Sequence, residues 1–301
     1  MRVLAPAKIN IHLRVGPRRP DGFHPLLSWM TTGALFDTLT FTPLAPTGST
    51  PRLTLRSDSP RLPCDDRNLI VKIANAWANE SKPQNAPDLN VFLEKKIPVG
   101  AGLGGGSSNG AFTLMALNRQ WRTGGAANVL SAFAARFGSD LSFFIHGPSS
   151  VCRGRGEIVS PIARPTSRWA VLVLPRFSMP TPPVYKRFDE MGLGRDADVN
   201  LDPDWNKWAQ MGSEELLPRL VNDLEPPAFD ISPPLGQLRS HIEALLKRPV
   251  RMSGSGSSLF TLFDQQSQAD SAAEKIQRDT HERALAVEVS PDFIDDLNGN
   301  L

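Results

Sequence analysis

The densest chemical signal in this chain is the segment 98–110, PVGAGLGGGSSNG, in which six of thirteen residues are glycine. Glycine lets backbone N–H groups approach a ligand without an intervening Cβ. The apolar stretch that follows predicts a helix through Leu117, and a helix N-terminus adds unpaired N–H groups and a positive dipole end. The segment therefore predicts a phosphate-binding loop and a phosphorylated nucleotide as its ligand.

The common glycine-rich motifs do not account for this loop. Gly100, Gly102 and Gly105 match the dinucleotide-binding spacing, but that fold needs a buried parallel strand before the loop and an acidic residue about 20 positions later. Residues 89–98 instead predict a half-exposed strand, and residues 118–122 contain no acid. No Gly-Lys-Ser/Thr follows, and the protein-kinase signatures are missing. A flexible linker rarely separates a strand from a helix.

Phosphoryl transfer requires positioned phosphates, compensated charge and an aligned, deprotonated hydroxyl. Lys8 is the candidate cation, because lysine is depleted in strands and Lys8 lies inside an alternating strand. Asn10 and His12 follow Lys8 at every second position, which predicts a polar stripe on one face of the strand that can bind a small ligand. The alternative is a solvated strand face.

Asp140 is the candidate carboxylate. As the residue after Gly138-Ser139 it is either a helix cap or a general base, and the two roles are compatible. Phe143 and Phe144 would lower the local dielectric and strengthen its pairing with a lysine.

Two further segments are candidates for ligand contacts. Phe23 and His24 follow a turn and are suited to stacking on a base and hydrogen bonding to it, or they are structural. The second glycine-serine loop, residues 253–258, is either a hairpin turn or a second anion site.

The composition of the chain limits the classes of function and the cellular compartments to be expected. The chain has 301 residues, 40% of them hydrophobic and 21% charged, with a net charge of +2. This charge gives no reason to expect a nucleic-acid or membrane partner. Cys64 and Cys152 form no metal or disulfide framework, and residues 2–14 carry three basic side chains where a signal peptide would be apolar. We therefore expect a cytoplasmic protein.

Periodicity predicts the elements that position these residues. Strands are expected over residues 2–15, 35–41, 53–55, 168–175, 250–252, 259–263 and 284–289. Helices are expected over residues 68–80, 126–137, 235–246 and 269–278, with a short helix opened by Ser139-Asp140. Residues 191–212 predict a loop with one short helix. The aperiodic, proline-containing segment 161–167 predicts a domain boundary.

Three motifs together resemble those of the GHMP kinase superfamily: residues 6–10, 98–109 and 253–258. Residues 19–24, 67–71, 138–140, 156–158 and 222–225 further resemble segments of one family within it, the 4-diphosphocytidyl-2-C-methyl-D-erythritol kinases. They follow that family's order and span residues 3–263. The family commonly has tyrosine where Phe23 stands, which keeps stacking but removes a hydrogen bond.

The resemblance implies an α+β, two-domain GHMP kinase fold with the active site between the domains. Residues 1–164 would form an N-terminal nucleotide-binding and catalytic domain like ribosomal protein S5 domain 2, and residues 165–301 a ferredoxin-like C-terminal domain. It implies ATP-dependent phosphorylation of the 2-hydroxyl of 4-diphosphocytidyl-2-C-methyl-D-erythritol, with Mg²⁺, by a monomer or weak homodimer. Two alternatives are another GHMP kinase, acting on a mevalonate-like acid, homoserine or a sugar, and a non-enzymatic nucleotide sensor.

The resemblance also implies roles for particular residues. Asp140 would be the base and Lys8 its electrostatic partner. The residues implied for ATP are Asn68, Lys95, Pro98, Gly100, Ala101, Gly102, Leu103, Gly104, Gly105, Gly106, Ser107, Ser108 and Asn109. Those implied for the substrate are Asn10, Phe23, His24, Thr181, Pro182, Tyr185, Ser253 and Gly254. The metal ligands stay open, with Ser107 or Ser108 as candidates.

Overall fold

Strands form two sheets in the computed structural model, which describes residues 1–297. The first sheet contains β1 (Arg2–Val15), β2 (Leu26–Leu44), β3 (Leu53–Ser57), β4 (Asp88–Glu94), β5 (Ser149–Gly154) and β6 (Ile158–Pro161). The second contains β7 (Trp169–Leu174), β8 (Arg251–Met252), β9 (Leu259–Phe263) and β10 (Arg283–Glu288). The predicted strands are confirmed, with ends that differ by a few residues, while β5 and β6 were not predicted.

Helices cover the two sheets. Those of the N-terminal half are α1 (Leu69–Ser81), α2 (Gly105–Gln120), α3 (Ala127–Ala134) and α4 (Ser139–His146). Those of the C-terminal half are α5 (Thr181–Glu190), α6 (Asp196–Val199), α7 (Trp205–Ala209), α8 (Ser213–Leu216), α9 (Glu225–Ile231), α10 (Pro233–Leu246) and α11 (Gln266–Thr280). Residues 191–212 hold two short helices, α6 and α7, rather than the predicted one. No helix within residues 1–297 is long and apolar enough to cross a membrane.

The first sheet is organised around β2. This strand pairs antiparallel with β1, β4 and β5, and its 19 residues extend well beyond the predicted 35–41. β3 and β4 are parallel and are connected through α1, as a parallel pair requires a crossover. The half-exposed strand predicted before the glycine loop is confirmed as β4.

The predicted polar stripe of Lys8, Asn10 and His12 is wrong at His12, because β1 contains a β-bulge. Asn10 pairs with Met30 and His12 with Trp29, so Ile11 is an extra residue in the ladder. An extra residue reverses the alternation of faces beyond it. His12 is therefore not aligned with Lys8 and Asn10; it is buried, edge-on to Trp205 and Trp208.

The second sheet has the order β10-β7-β9-β8 with antiparallel neighbours throughout. Numbered within the C-terminal half this is 4-1-3-2, which together with α10 and α11 is the arrangement of a ferredoxin-like fold. The α+β prediction is thereby confirmed.

One hydrophobic core joins the two sheets. Ile9 and Trp29 of the first sheet share a fully buried cluster with Leu172 and Phe260 of the second. The predicted boundary between residues 164 and 165 falls in the link between β6 and β7. That these halves are separate domains stays a prediction.

Candidate active site

Lys8 lies on β1, almost completely buried. Its backbone N–H donates to the Leu103 carbonyl at 2.9 Å, which ties the strand to the glycine loop. Its ammonium donates to Asn10 Oδ1, and Asn10 Nδ2 in turn donates to Ser28 Oγ at 2.9 Å. Asn10 therefore holds the lysine side chain in one orientation.

Asp140 is in the first turn of α4, and its Oδ2 is 3.7 Å from Lys8 Nζ. The N-cap of α4 is Gly138, and no side chain caps it, so the interpretation of Ser139-Asp140 as a cap is wrong. The Asp140 side chain is 31% exposed against 5% for Lys8. The Asp140 carboxylate therefore lies beside the Lys8 ammonium with part of its surface open to a ligand.

The glycine loop is packed so closely that side chains are excluded at two positions. Gly102 has φ +76°, and a Cβ there would lie 2.1 Å from the Ser253 carbonyl oxygen. Gly104 has φ +66°, and a Cβ there would lie 2.8 Å from Lys8 Cγ. Both backbone conformations favour glycine. The loop enters α2 at Gly105 through this left-handed Gly104, as the sequence predicts for a phosphate loop.

A buried carboxylate that the sequence analysis did not single out holds the entrance to this loop. Asp37 of β2 is 0% exposed and forms an ion pair with Lys95 Nζ. It also accepts from the backbone N–H groups of Lys96 and Ile97 at 2.7 and 2.9 Å, and from Asn109 Nδ2 at 2.9 Å. Burial lowers the pKa of Lys95, and the Asp37 carboxylate counteracts that shift.

The third motif closes the loop from the opposite side. Ser253 Oγ donates to the Gly102 carbonyl at 3.0 Å and accepts from the Asn10 N–H at 3.2 Å. Gly254 has φ +58°, and a Cβ there would lie 3.2 Å from Lys8 Nζ. Asn222 Nδ2 donates to the carbonyls of Met252 and Gly254 at 2.6 and 2.8 Å, which supports the loop from below.

Two cavities meet at Asp140. The first, of about 550 Å³, follows the glycine loop, and the second, of about 1090 Å³, extends towards Phe23. Both are lined by Asp140, Thr181 and Tyr185. A group bound in one cavity can therefore approach a group bound in the other at the carboxylate.

Most predicted site residues line these cavities. The first is lined by Lys8, Asn10, Asn68, Lys95, Pro98, Gly100, Ala101, Gly102, Leu103, Gly104, Gly105, Gly106, Ser107, Asn109, Asp140, Thr181, Tyr185 and Gly254. The second is lined by Phe23, His24, Asp140, Thr181, Pro182 and Tyr185. Asn10, which the resemblance implies for the substrate, lines the first cavity and not the second. Ser108 and Ser253 line neither and are fully buried.

Models of two protein-family domains match this chain, one in each half. The model of the GHMP kinases N terminal domain matches residues 68–148, and that of the GHMP kinases C terminal region matches residues 202–282. A relative from Synechococcus sp. (strain CC9902), a 4-diphosphocytidyl-2-C-methyl-D-erythritol kinase, is 37% identical over 290 residues, which cover 91% of each chain. The chain belongs to the GHMP kinase family.

Solved structures place this GHMP kinase among small-molecule kinases. A crystal structure of 4-(cytidine 5'-diphospho)-2C-methyl-D-erythritol kinase superposes with a TM-score of 0.76 at 33% identity, over 97% of this chain and 100% of that one. The L. major mevalonate kinase in complex with R-mevalonate superposes with a TM-score of 0.71 at 13% identity, over 97% and 96% of the two chains. At that lower identity the likeness shows the fold alone.

The second cavity of the GHMP kinase is aromatic and charged. Phe23 is 49% exposed at its edge. His24 lies against Tyr185, with 5.0 Å between ring centroids, and its Nε2 is 2.7 Å from Asp189 Oδ1. Burial, followed by the nearby Asp140 charge, raises the pKa of Tyr185, which keeps the phenol protonated. Asp189 fixes the His24 ring, and no local pattern in the sequence marks it, because it is 165 residues from His24 along the chain.

Proposed function

We propose that this GHMP kinase transfers the terminal phosphate of ATP to the 2-hydroxyl of 4-diphosphocytidyl-2-C-methyl-D-erythritol, a step of non-mevalonate isoprenoid precursor biosynthesis. The observation that supports this most is the position of Asp140. Its carboxylate lines the loop cavity and the larger second cavity, with Lys8 Nζ 3.7 Å away.

The residues act mainly by positioning and by electrostatics. Asp140 accepts the proton of the substrate hydroxyl as the hydroxyl oxygen bonds to the γ-phosphorus of ATP, and the bond from that phosphorus to the β-phosphate oxygen breaks to release ADP. The Lys8 ammonium offsets the negative charge that develops on the attacking oxygen. Backbone N–H groups of the glycine loop and the N-terminus of α2 bind the phosphates of the nucleotide.

The shape and lining of the second cavity support a nucleotide-linked substrate. Phe23 is suited to stacking on a cytosine ring, and His24, oriented by Asp189, is suited to hydrogen bonding with its edge. Tyr185 and Thr181 line this cavity together with Asp140. A mevalonate-like acid or homoserine would leave most of the roughly 1090 Å³ unfilled.

The first cavity suits ATP with Mg²⁺. Gly102 and Gly104 line this cavity, and a Cβ would collide with Ser253 at the first position and with Lys8 at the second, so the loop presents bare backbone to a ligand there. Residues 1–297 contain no cluster of three or more acidic, histidine or cysteine side chains that could hold a metal ion. Mg²⁺ is often held by one or two carboxylates together with nucleotide phosphates. Asp140 and Ser107 line this cavity and would hold it; when bound, it would neutralise phosphate charge.

The two cysteines and the net charge bear on the cellular setting. Cys64 and Cys152 are both free thiols, which supports a reducing compartment such as the cytoplasm. The net charge of +2 supports a small-molecule substrate as the partner rather than a nucleic acid or membrane. A monomer or weak homodimer is the assembly we propose.

An ADP-release assay tests the substrate. The purified protein receives ATP, Mg²⁺ and, separately, 4-diphosphocytidyl-2-C-methyl-D-erythritol, mevalonate or homoserine. We expect ADP release with the cytidyl compound alone. Turnover with mevalonate or homoserine alone would overturn the substrate and keep the kinase chemistry, and no turnover with any of them would overturn the proposal.

An Asp140→Asn variant tests the base. We expect kcat to fall by about 100-fold or more, because general-base catalysis contributes factors of this size, while the affinity for ATP measured without Mg²⁺ stays within a few fold of wild type. The exposed Asp270 of α11 provides a matched control, since Asp270→Asn makes the same chemical change outside the cavities. A near-normal kcat in Asp140→Asn would exclude this carboxylate as the base.

A further inference from the structure

Arg155 occupies the turn between β5 and β6, and its backbone is fixed next to Asp140. The flanking glycines, Gly154 and Gly156, have φ values of +72° and +115°. A Cβ on Gly156 would lie 3.2 Å from Ser139 Cβ, so the turn packs directly on the first turn of α4. The Arg155 N–H also donates to Glu157 Oε2 at 2.6 Å. The turn therefore has a defined position relative to the catalytic carboxylate.

The Arg155 side chain reaches across the second cavity towards Phe23. Its guanidinium carbon is 4.8 Å from the centroid of the Phe23 ring, and both side chains line the cavity. A guanidinium at this distance from an aromatic face makes a cation–π contact. The contact connects the loop expected to hold the cytosine with the turn beside Asp140.

The Arg155 guanidinium differs from the neighbouring cations of the cavity in its ion pairing. Of the other cations that line the cavity, Arg18 is 3.9 Å from Asp189, and Lys186 is 3.8 Å from Glu190. Among residues 1–297 the Arg155 guanidinium has no carboxylate within ion-pair distance. A half-buried arginine without a counter-anion, in a cavity that a ligand enters, is suited to an anion.

We infer that Arg155 binds the diphosphate of the cytidyl substrate. This inference rests on the proposed function and deepens it. With the cytosine at Phe23 and His24 and the reacting hydroxyl at Asp140, the diphosphate of the same molecule spans the distance between them, and Arg155 extends over this interval. Arg155 is thus a substrate-binding residue that distinguishes a diphosphate-linked substrate from an uncharged nucleoside.

Calorimetric titration of CDP and of cytidine into wild type, Arg155→Gln and Arg155→Lys tests this inference. Because hydrogen bonds between charged groups are strong, we expect Arg155→Gln to weaken CDP binding by about 10- to 100-fold. Cytidine binding should change less than about twofold, and Arg155→Lys should recover part of the CDP affinity. The matched control is Lys186→Gln, which removes the same charge from the same cavity but from a paired lysine, and should weaken CDP binding by less than about threefold.

Kinetics separate this inference from the proposed function. In Arg155→Gln, KM for the cytidyl substrate should rise by the same factor as the CDP dissociation constant, while KM for ATP and kcat stay within about threefold. Equal losses of CDP and cytidine affinity would show that Arg155 acts only through the Phe23 ring and would overturn the inference. Unchanged CDP affinity and KM would overturn it as well. The absence of turnover by the wild type would instead overturn the proposed function.

Discussion

Replacing Gly102 with alanine is the most direct perturbation of the glycine loop. At φ +76° an L-residue costs about 1–2 kcal/mol. The added Cβ would lie 2.1 Å from the Ser253 carbonyl oxygen, where contacts of about 3.0 Å are the shortest tolerated, so the second and third motifs must separate by about 1 Å. That movement weakens the hydrogen bond from Ser253 Oγ to the Gly102 carbonyl, which is worth about 1 kcal/mol. The total is about 2–3 kcal/mol.

We expect this cost to reduce the free energy of ATP binding. The loop lines an open cavity, so in the free variant it relaxes away from Ser253, and ATP must restore the native loop to bind. A loss of 2–3 kcal/mol corresponds to roughly 30- to 150-fold weaker binding. The assay is calorimetric titration of ATP with Mg²⁺ into the variant and the wild type, accompanied by urea unfolding of both.

Gly124 supplies the matched control. It has φ +68°, yet a Cβ there would meet no atom within 4 Å, and it lines neither cavity. Gly124→Ala therefore carries the backbone cost without the collision and should lower the free energy of unfolding by about 1–2 kcal/mol with ATP affinity unchanged. The reasoning is refuted if Gly102→Ala binds ATP within about twofold of wild type and unfolds no more easily than Gly124→Ala.

Three other predictions test separate parts of the site. Gly104→Val should weaken ATP binding and lower kcat, because its Cβ lies 2.8 Å from Lys8 Cγ, and unchanged ATP affinity by calorimetry would contradict the loop assignment. Asp37→Asn should destabilise the protein by about 3–5 kcal/mol in urea unfolding, because it leaves the Lys95 ammonium buried without its carboxylate; a loss below about 1 kcal/mol would contradict this. Burial, then the Arg14 charge, lowers the pKa of His12 to about 3 from 6.5, so its contribution to stability is present above about pH 6.5 and is lost as the pH falls towards 3. When the pH is lowered from 7 to 4, the free energy of unfolding of the wild type should fall by about 3 kcal/mol more than that of His12→Phe. Equal decreases in the two proteins would refute the lowered pKa of His12.

The features that the sequence predicted correctly depend on interactions between residues close together along the chain. A left-handed backbone needs glycine, and a strand needs alternation over a few neighbours, so the loop at residues 98–110 and strand β1 are visible without tertiary structure. The identification of Lys8 and Asp140 as a pair also required the resemblance to a kinase family, since 132 residues separate them along the chain. The structure brings them within 3.7 Å.

The features that the sequence did not predict depend on contacts distant along the chain. The bulge at Ile11 lets Lys8 lie on one face of β1 while His12 lies on the other face, against Trp208. No local pattern in the sequence marks this bulge. Asp37 is a single acid in an apolar strand segment, which is a usable signal, but its partner Lys95 is 58 residues away. Arg155, between two glycines, becomes notable only once Phe23 is placed beside it.

The three motifs form one hydrogen-bonded unit, and this explains why a kinase that works by positioning needs all of them. The N–H of Lys8 bonds to the second motif at Leu103, Ser253 Oγ bonds to both Asn10 and Gly102, and the N–H of Ser258 bonds to the Ala101 carbonyl at 3.1 Å. The glycine loop is therefore tied directly to the strand that carries the lysine. Asp140 joins this unit through its 3.7 Å ion pair with Lys8. The helix α4 packs against α2, with Leu141 beside Gly110, and also against the Arg155 turn, with Ser139 beside Gly156. The carboxylate is therefore held between the helix that the glycine loop opens and the turn that lines the substrate cavity.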